Sequence, residues 1–164
     1  MKRNTMFLLL LINSFLVFGS AFAQTWPSKP VKVVVTLSAG STSDILARII
    51  SEQLSKNLGQ PFVIENRPGA GGNIAGEYVM HQPADGYTIM LSSISSHGIN
   101  PALYAKMPYD AVNDFTPIIA IASSPNVLIA SNQTPASNTK ELISWIKSKP
   151  GDSINYSSAG NGTS

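Results

Sequence analysis

Serine, threonine and glycine residues that could bind a small ligand gather in four short segments of the chain. These are residues 37–43, 66–73, 92–97 and 157–163. Each follows a short run, rich in β-branched or aromatic residues, that predicts a strand. Their backbone N–H groups and hydroxyls can hold a carboxylate without any Lys or Arg. One such segment is ordinary turn chemistry, but several at the carboxyl ends of parallel strands predict a ligand site.

Motifs for other chemistry are missing or incomplete. The chain has no Cys, no phosphate-binding G-x-x-x-x-G-K-[ST] and no G-x-S-x-G of hydrolases. A possible dinucleotide fingerprint from Gly69 has Ile74 where its last Gly belongs. His81 and His97 are not spaced as metal ligands. We therefore predict no metal, no cofactor and no catalytic residue. One alternative stays open, an exported hydrolase in which His97 activates a loop serine.

The charge balance argues against a nucleic-acid partner. There are 11 Lys and Arg against 9 Asp and Glu among 164 residues. Two of the positive charges, Lys2 and Arg3, precede an apolar stretch at residues 6–18 that ends in the small-residue pattern Ala21-x-Ala23. This arrangement predicts a signal peptide at residues 1–23, cleaved after Ala23, because about 13 apolar residues are too few to span a bilayer. The remaining residues carry no net charge. Export without Cys favours the bacterial periplasm.

Strands and helices are predicted to alternate along the rest of the chain, which indicates an α/β fold with a mainly parallel sheet. Strands are predicted at 31–36, 61–65 and 87–91, and further strands at 118–122, 126–130 and 154–157. Helices are predicted from Ser43 to the cap Gly59, from Asn73 to His81, and from the cap Asn138 to about Lys149. Glu141 occupies the capping-box position of the last helix.

The order of several blocks resembles one known family. The blocks are Trp26-Pro-Ser-Lys-Pro, Glu65-Asn-Arg-Pro-Gly-Ala-Gly-Gly-Asn73, Ala84-Asp-Gly-Tyr-Thr88, Asn100-Pro-Ala-Leu-Tyr104 and Ser158-Ala-Gly-Asn-Gly-Thr-Ser164. Together they are similar to the Bug family, the extracytoplasmic solute receptors of tripartite tricarboxylate transporters. The similarity extends over essentially the whole chain beyond the predicted signal peptide.

The resemblance implies a receptor of the type II periplasmic-binding-protein fold, with two α/β domains that close on a ligand. It implies that residues 24–122 form the first part of domain 1, that residues 123–164 begin domain 2, and that the chain is truncated to about half the family's length. The implied function is binding of a small carboxylate and its delivery to integral membrane subunits by a monomer. We expect the shortened chain alone to bind its ligand poorly. Presentation of the ligand to a membrane sensor is a further alternative.

The resemblance also implies a set of ligand-binding residues in three loops. They are Ser38, Ala39, Gly40, Ser41, Thr42, Ser43, Asp44, Ser95, Ser96, His97, Ser158, Ala159, Gly160, Asn161, Gly162 and Thr163. The first loop departs from the family pattern Pro-x-x-x-Gly-Gly, because Thr36 replaces the Pro and Ser41 the second Gly. A side chain at Ser41 could add a hydroxyl donor or narrow the site, so the family's ligand identities do not carry over.

Overall fold

A computed structural model describes residues 25–151, 153–158 and 160–163 of the chain. The predicted signal peptide at residues 1–23 and the candidate site residue Ala159 lie outside the described residues. None of the helices within the described ranges is long and apolar enough to cross a membrane.

A parallel sheet of three strands forms the centre of the fold. Its strands are β1 (Val31–Val35), β2 (Phe62–Asn66) and β3 (Thr88–Leu91), in the order β2-β1-β3. Val33 is in register with Ile64 on one side and with Ile89 on the other. The middle strand is the most apolar of the three and is almost completely buried. The predicted α/β class with a parallel sheet is confirmed.

The first face of the sheet packs against helix α1 (Thr42–Leu58). Alternate residues of β1 project to this face, where Val31, Val33 and Val35 form the core with Ala47 of the helix and Phe62 of β2. Burial of one such valine stabilises the fold by about 1.5–3 kcal/mol. The helix begins one residue earlier than predicted, because Ser41 caps it by accepting the N–H of Asp44. It ends as predicted at Gly59, which adopts the left-handed conformation at φ 72°.

The second face is joined to helix α2 (Asn73–Met80), close to the predicted range. Lys32 of β1 projects to this face and donates a hydrogen bond of 2.6 Å to the Tyr78 hydroxyl of the helix. Helices therefore lie on both faces of the sheet. This is the usual arrangement when helices connect parallel strands.

After β3 the chain is helical, where a loop was predicted. Residues Ser95–Ile99 form a π-helical turn that continues directly into the short helix α3 (Asn100–Leu103). Pro101 occupies the first turn of α3, where its missing N–H costs no hydrogen bond.

Three further predicted strands are wrong: residues 118–122, 126–130 and 154–157 are not in strands. Their side chains have strand-like composition, but a strand also needs a neighbour that shares its backbone hydrogen bonds. No described strand pairs with them, and Leu128, Ile129 and Tyr156 are more than three-quarters exposed.

The last helix, α4 (Thr139–Lys147), has the predicted cap. The Asn138 side chain accepts the N–H of Glu141 at 3.0 Å. The Glu141 carboxylate in turn accepts the backbone N–H of Ser137 and the side-chain amide of Asn138. The helix contains no buried residue, so its stability comes from these local contacts.

Candidate ligand-binding site

The strand order places a crevice at the carboxyl edge of the sheet. The chain moves from β1 to β2 on one side and then crosses to β3 on the other side of β1. The helices that follow β1 and β2 lie on opposite faces, and the strand order reverses between β1 and β3. Small ligands of open α/β sheets bind at such a point, where the strand order reverses. The segment after β1 and the segment after β3, both predicted from the sequence, border this position.

Asp44 organises the segment after β1. Its side chain is only 3% exposed, and each carboxylate oxygen accepts two hydrogen bonds. Gly40 N–H donates to Oδ2 at 2.9 Å, and Arg48 donates to both oxygens at 2.9 and 3.0 Å. The fourth donor is the Asn66 side-chain amide at 2.9 Å. This carboxylate therefore holds the loop, and its oxygens are occupied by protein donors.

Asn66 links the first two loops of the sheet edge. Its amide nitrogen donates to Asp44 and, at 3.0 Å, to the carbonyl oxygen of Leu37. The loop is thus fixed at Leu37 by Asn66 and at Gly40 by Asp44. The Arg48 guanidinium and the two other donors hold the pKa of Asp44 well below its usual range, so this group is a carboxylate at neutral pH.

The capping contacts determine which donors of this loop remain available. Gly40 N–H is bound to Asp44, and Ser41 N–H donates to the carbonyl of Ser38 at 3.1 Å. The Ser41 hydroxyl oxygen faces the helix, because it accepts Asp44 N–H at 3.3 Å. Within the described residues, the N–H groups of Ser38, Ala39, Thr42 and Ser43 have no such acceptor. Of the seven candidates in this loop, these four residues are the ones whose donors could reach a ligand.

The glycine-rich segment after β2 turns sharply to begin α2. Residues 69–72 all have positive φ, including Ala70 at 47°. Asn100 of α3 holds this turn through its side-chain amide. The Asn100 amide nitrogen donates to the Gly71 carbonyl at 3.0 Å and to the Asn73 side-chain oxygen at 2.7 Å. A Cβ at Gly72 would lie 3.1 Å from the Cβ atoms of both Thr36 and Ser96, so this glycine lets the segment after β2 pack closely against residues that follow β1 and β3.

Tyr109 ties the segment after β3 to α2. Its hydroxyl lies 2.7 Å from the Ser96 carbonyl and 3.0 Å from the Asn73 side-chain oxygen. Burial of its ring raises the pKa of Tyr109 to about 12, so the hydroxyl keeps its proton. Asn73, Asn100 and Tyr109 together form a buried polar network that fixes the mouth of the crevice.

The candidates Ser95, Ser96 and His97 lie on the π-helical turn. Ser95 and Ser96 are buried, and the Ser96 hydroxyl donates to the Ser93 carbonyl at 3.1 Å. The same hydroxyl lies 3.0 Å from Nδ1 of His97. His97 packs edge-on against Phe115, and its partial burial lowers the pKa of the imidazole. The imidazole is therefore neutral at pH 7.

The last predicted loop approaches the crevice from the far end of the chain. A Cβ at Gly162 would overlap Asn100 Oδ1, and a Cβ at Gly71 would lie 3.3 Å from the carbonyl oxygen of Asn161. Thr163 donates its hydroxyl to the Gly160 carbonyl, which closes the loop on itself. The structure thus brings Gly160–Thr163 to the glycine-rich segment, whereas Ser158 is exposed.

Several residues that shape this edge were not among the predicted site residues. The side chains of Thr36 and Asn100 are fully buried, and Thr36 Oγ1, Ser93 Oγ and Asn100 Oδ1 have no hydrogen-bond partner within the described part of the chain. Asn66 and Asn73 delimit the predicted ligand segment 66–73 but were not named as site residues, and Asn100 occurs in a block of the family pattern. An asparagine immediately after a strand or at a helix start is a sequence signal for such a bridging amide.

Two further polar side chains, Arg67 and His81, have structural partners. Arg67 pairs with Glu65 and stacks on the Tyr78 ring at 3.5 Å, so it lies on the α2 face of the sheet. His81 Nδ1 lies 2.7 Å from the Glu77 carbonyl at the end of α2. Among the residues that the structure describes, no group of three acidic or histidine side chains could hold a metal ion.

The sequence matches one family of known proteins. The profile of the tripartite tricarboxylate transporter family receptor matches residues 46–164. A UPF0065 protein of Bordetella pertussis is 40% identical over 146 residues, which are 89% of this chain and 45% of that protein. Protein BugT of the same organism is 34% identical and is covered over 40% of its length. The chain therefore spans less than half the length of these relatives.

Solved structures of similar proteins share the fold. Rpa4515 of R. palustris, solved with adipate, is 44% identical with a TM-score of 0.73, over 76% of this chain and 42% of that one. MatC (Rpa3494) from Rhodopseudomonas palustris, with bound malate, is 37% identical with a TM-score of 0.70, over 75% and 42% of the two chains. A third, described as a periplasmic transporter, is 36% identical with a TM-score of 0.73 and covers 77% of this chain and 43% of that one.

The resemblance to the Bug receptors is confirmed by the matching family profile and by these relatives of known structure. This chain therefore belongs to the tripartite tricarboxylate transporter receptor family.

Proposed function

We propose that this chain contributes one wall of the cleft of a periplasmic receptor for a small carboxylate. The observation that carries the proposal is the convergence of three donor-rich loops at the carboxyl edge of the sheet. The loop after β1, the turn after β3 and Gly160–Thr163 all border the same crevice. Relatives solved with adipate and with malate support a dicarboxylate as the ligand class.

The site binds its ligand through backbone N–H groups and hydroxyls in place of lysines. A hydrogen bond to a charged group contributes about 1.5–3 kcal/mol, so four of them supply about 6–12 kcal/mol before the cost of association. Micromolar affinity needs about 8 kcal/mol net. Hydrogen-bond donors from both walls of a cleft together supply this net binding free energy. Donors from one wall alone do not. The chain by itself should therefore bind weakly.

The wider proposal concerns the protein's place in the cell. Residues 1–23 act as a signal peptide cleaved after Ala23, and the receptor works in the periplasm as a monomer. Residues 24–122 provide the first part of domain 1, and residues 123–164 begin domain 2. Closure of the two domains buries the ligand, which the receptor then delivers to integral membrane subunits of a transporter. No enzymatic step is part of this function.

An NMR titration of the 164-residue chain tests the site. Addition of adipate or malate at millimolar concentration should shift the amide signals of residues 38–43, 92–97 and 160–163. The signals of α4 and of Trp26, at other parts of the molecule, should stay unchanged. Neutral adipamide serves as the matched control and should shift none of these signals. Isothermal titration should show no micromolar binding.

Three results would contradict the proposal. Unchanged amide signals with both dicarboxylates would remove the carboxylate site from this chain. Equal shifts with adipate and adipamide would show that the site does not distinguish a charged ligand from a neutral one. A micromolar isotherm would contradict the expected weakness of a single wall.

One observation favours the alternative of an exported hydrolase. The Ser96 hydroxyl lies 3.0 Å from His97 Nδ1, the pairing that a nucleophile and its general base require, although its proton is donated to the Ser93 carbonyl. However, Ser96 is fully buried, and no carboxylate of the described residues hydrogen-bonds to His97. An activated ester such as p-nitrophenyl acetate separates the two functions. The hydrolase requires a product burst that His97→Ala abolishes, and the receptor produces none.

A further inference from the structure

Asp44 poses an electrostatic problem for the proposed anion site. It lies in the first turn of α1, beside the loop whose free N–H groups are proposed to meet a ligand carboxylate. A helix N-terminus attracts an anion, but an ionised side chain in the same turn repels it. The low pKa of Asp44 keeps that charge in place at every physiological pH.

Arg48 lies where it can cancel this charge. Its guanidinium binds Asp44 in a bidentate geometry, with Nε 2.9 Å from Oδ2 and Nη2 3.0 Å from Oδ1. Such a fork places the guanidinium charge next to both carboxylate oxygens. We propose that Arg48 neutralises the Asp44 carboxylate, so that Asp44 can hold Leu37–Gly40 in shape without repelling the ligand anion. This inference rests on the proposed function and assigns Arg48 as a positioning residue of the site.

A second ion pair on the same helix provides an internal comparison. Lys56 and Glu52 have the same spacing of four residues as Arg48 and Asp44, and their charged atoms are 2.6 Å apart. Both of these side chains are about 60% exposed, and both lie near the end of the helix away from the crevice. In the Arg48 pair the carboxylate is buried, and it also accepts hydrogen bonds from Gly40 of the ligand loop and from Asn66. The two ion pairs therefore have the same spacing on the helix, but only the Arg48 pair contacts the proposed ligand loop.

The test compares Arg48→Met with Lys56→Met, each of which removes one partner of a helical ion pair and keeps the apolar stem. Adipate affinity is measured from the NMR shifts of residues 38–43 at low and at high salt. Arg48→Met should weaken binding by about fivefold at low salt, and the effect should shrink as added salt screens the uncovered Asp44 charge. Lys56→Met should leave the affinity unchanged.

The double variant Asp44→Asn/Arg48→Met separates charge from structure. If Arg48 acts by neutralisation, the double variant binds adipate more tightly than Arg48→Met, although one more native group has been altered. If Arg48 only stiffens the helix, the double variant binds no better than the single one, and the inference is overturned.

The wild-type chain distinguishes failure of this inference from failure of the proposed function. Adipate-dependent shifts in the wild type with equal affinity in Arg48→Met overturn the role of Arg48 alone. An absence of adipate-dependent shifts in the wild type overturns the proposed function and the inference together.

Discussion

At the scale of single residues, the candidate site depends on asparagines and glycines more than on charged groups. Asn66, Asn73 and Asn100 each join two segments that are distant in sequence. An amide nitrogen can donate two hydrogen bonds, so Asn66 bridges the Leu37 carbonyl and the Asp44 carboxylate, and Asn100 bridges the Gly71 carbonyl and the Asn73 side chain. Removal of such a group would leave its partners buried without hydrogen bonds, which costs about 1–3 kcal/mol for each.

Gly76 shows how closely these segments pack. A Cβ at this position would overlap the Tyr109 ring, whose hydroxyl holds Ser96 and Asn73. Gly76→Ala should therefore displace Tyr109 and lower the free energy of unfolding by about 2 kcal/mol, as overpacking of a core does. Urea denaturation measures the change.

Gly151→Ala is the matched control for this substitution. A Cβ at Gly151 meets nothing within 4 Å, so the free energy of unfolding should change by less than about 0.5 kcal/mol. Equal stability of Gly76→Ala and the wild type would show that Tyr109 is not fixed against α2.

At the scale of elements, the two capped helices differ in what supports them. Ser41 caps α1, which packs its Ala47 and Leu54 against the sheet, whereas Asn138 caps α4, which has no buried residue. Of these two caps only Asn138 was predicted from the sequence, yet α1 is the helix with tertiary contacts to the sheet.

Ser41→Ala and Asn138→Ala should therefore have different consequences. Loss of either cap removes about 1 kcal/mol from its helix. Because α1 unfolds together with the sheet, Ser41→Ala should lower the thermal midpoint of the whole fold. Asn138→Ala should reduce helical chemical shifts only in residues 139–147 and leave that midpoint unchanged.

The thermal midpoints of the two variants test whether α4 is stabilised only by local contacts. If Asn138→Ala lowered the thermal midpoint as much as Ser41→Ala, α4 would unfold cooperatively with the sheet, and its description as a locally stabilised helix would be wrong.

At the scale of the whole molecule, stability is unevenly distributed. The buried valines of β1, the two flanking helices and the Asn73–Asn100–Tyr109 network lie between residues 31 and 109. Apolar residues of the segment 118–130 are instead mostly exposed, and no described strand pairs with them. Regions with few buried contacts open at low free-energy cost.

Limited proteolysis should reveal this division. Chymotrypsin or thermolysin, at low ratios of enzyme to substrate, should cleave first between residues 117 and 131 and leave a resistant core that contains β1, β2 and β3. Mass spectrometry of the early products identifies the sites. First cleavage within α1 or β3 would contradict the division, and protection of residues 117–131 would show that a further contact covers them.

The sequence by itself determined the local structure. Three strands, the helix caps Gly59 and Asn138 and the glycine-rich turn follow from side-chain chemistry and short-range backbone geometry. The motif order also predicted the family, because these blocks encode contacts that the fold requires. The same local rules failed at residues 118–122, 126–130 and 154–157, where a strand depends on a partner that local composition does not supply.

Only the tertiary structure decided which predicted site residues face a ligand and which hold the loop. Asp44 and Ser41 occur in a predicted ligand segment, yet their side-chain oxygens accept protein donors. Asn66 and Asn100 were not among the predicted site residues, yet they join loops that lie about 30 residues apart in sequence. The physical reason is that a hydrogen-bond partner is chosen by proximity in space. Spacing along the chain therefore identifies the donors and acceptors, and the packing of the sheet edge determines how they pair.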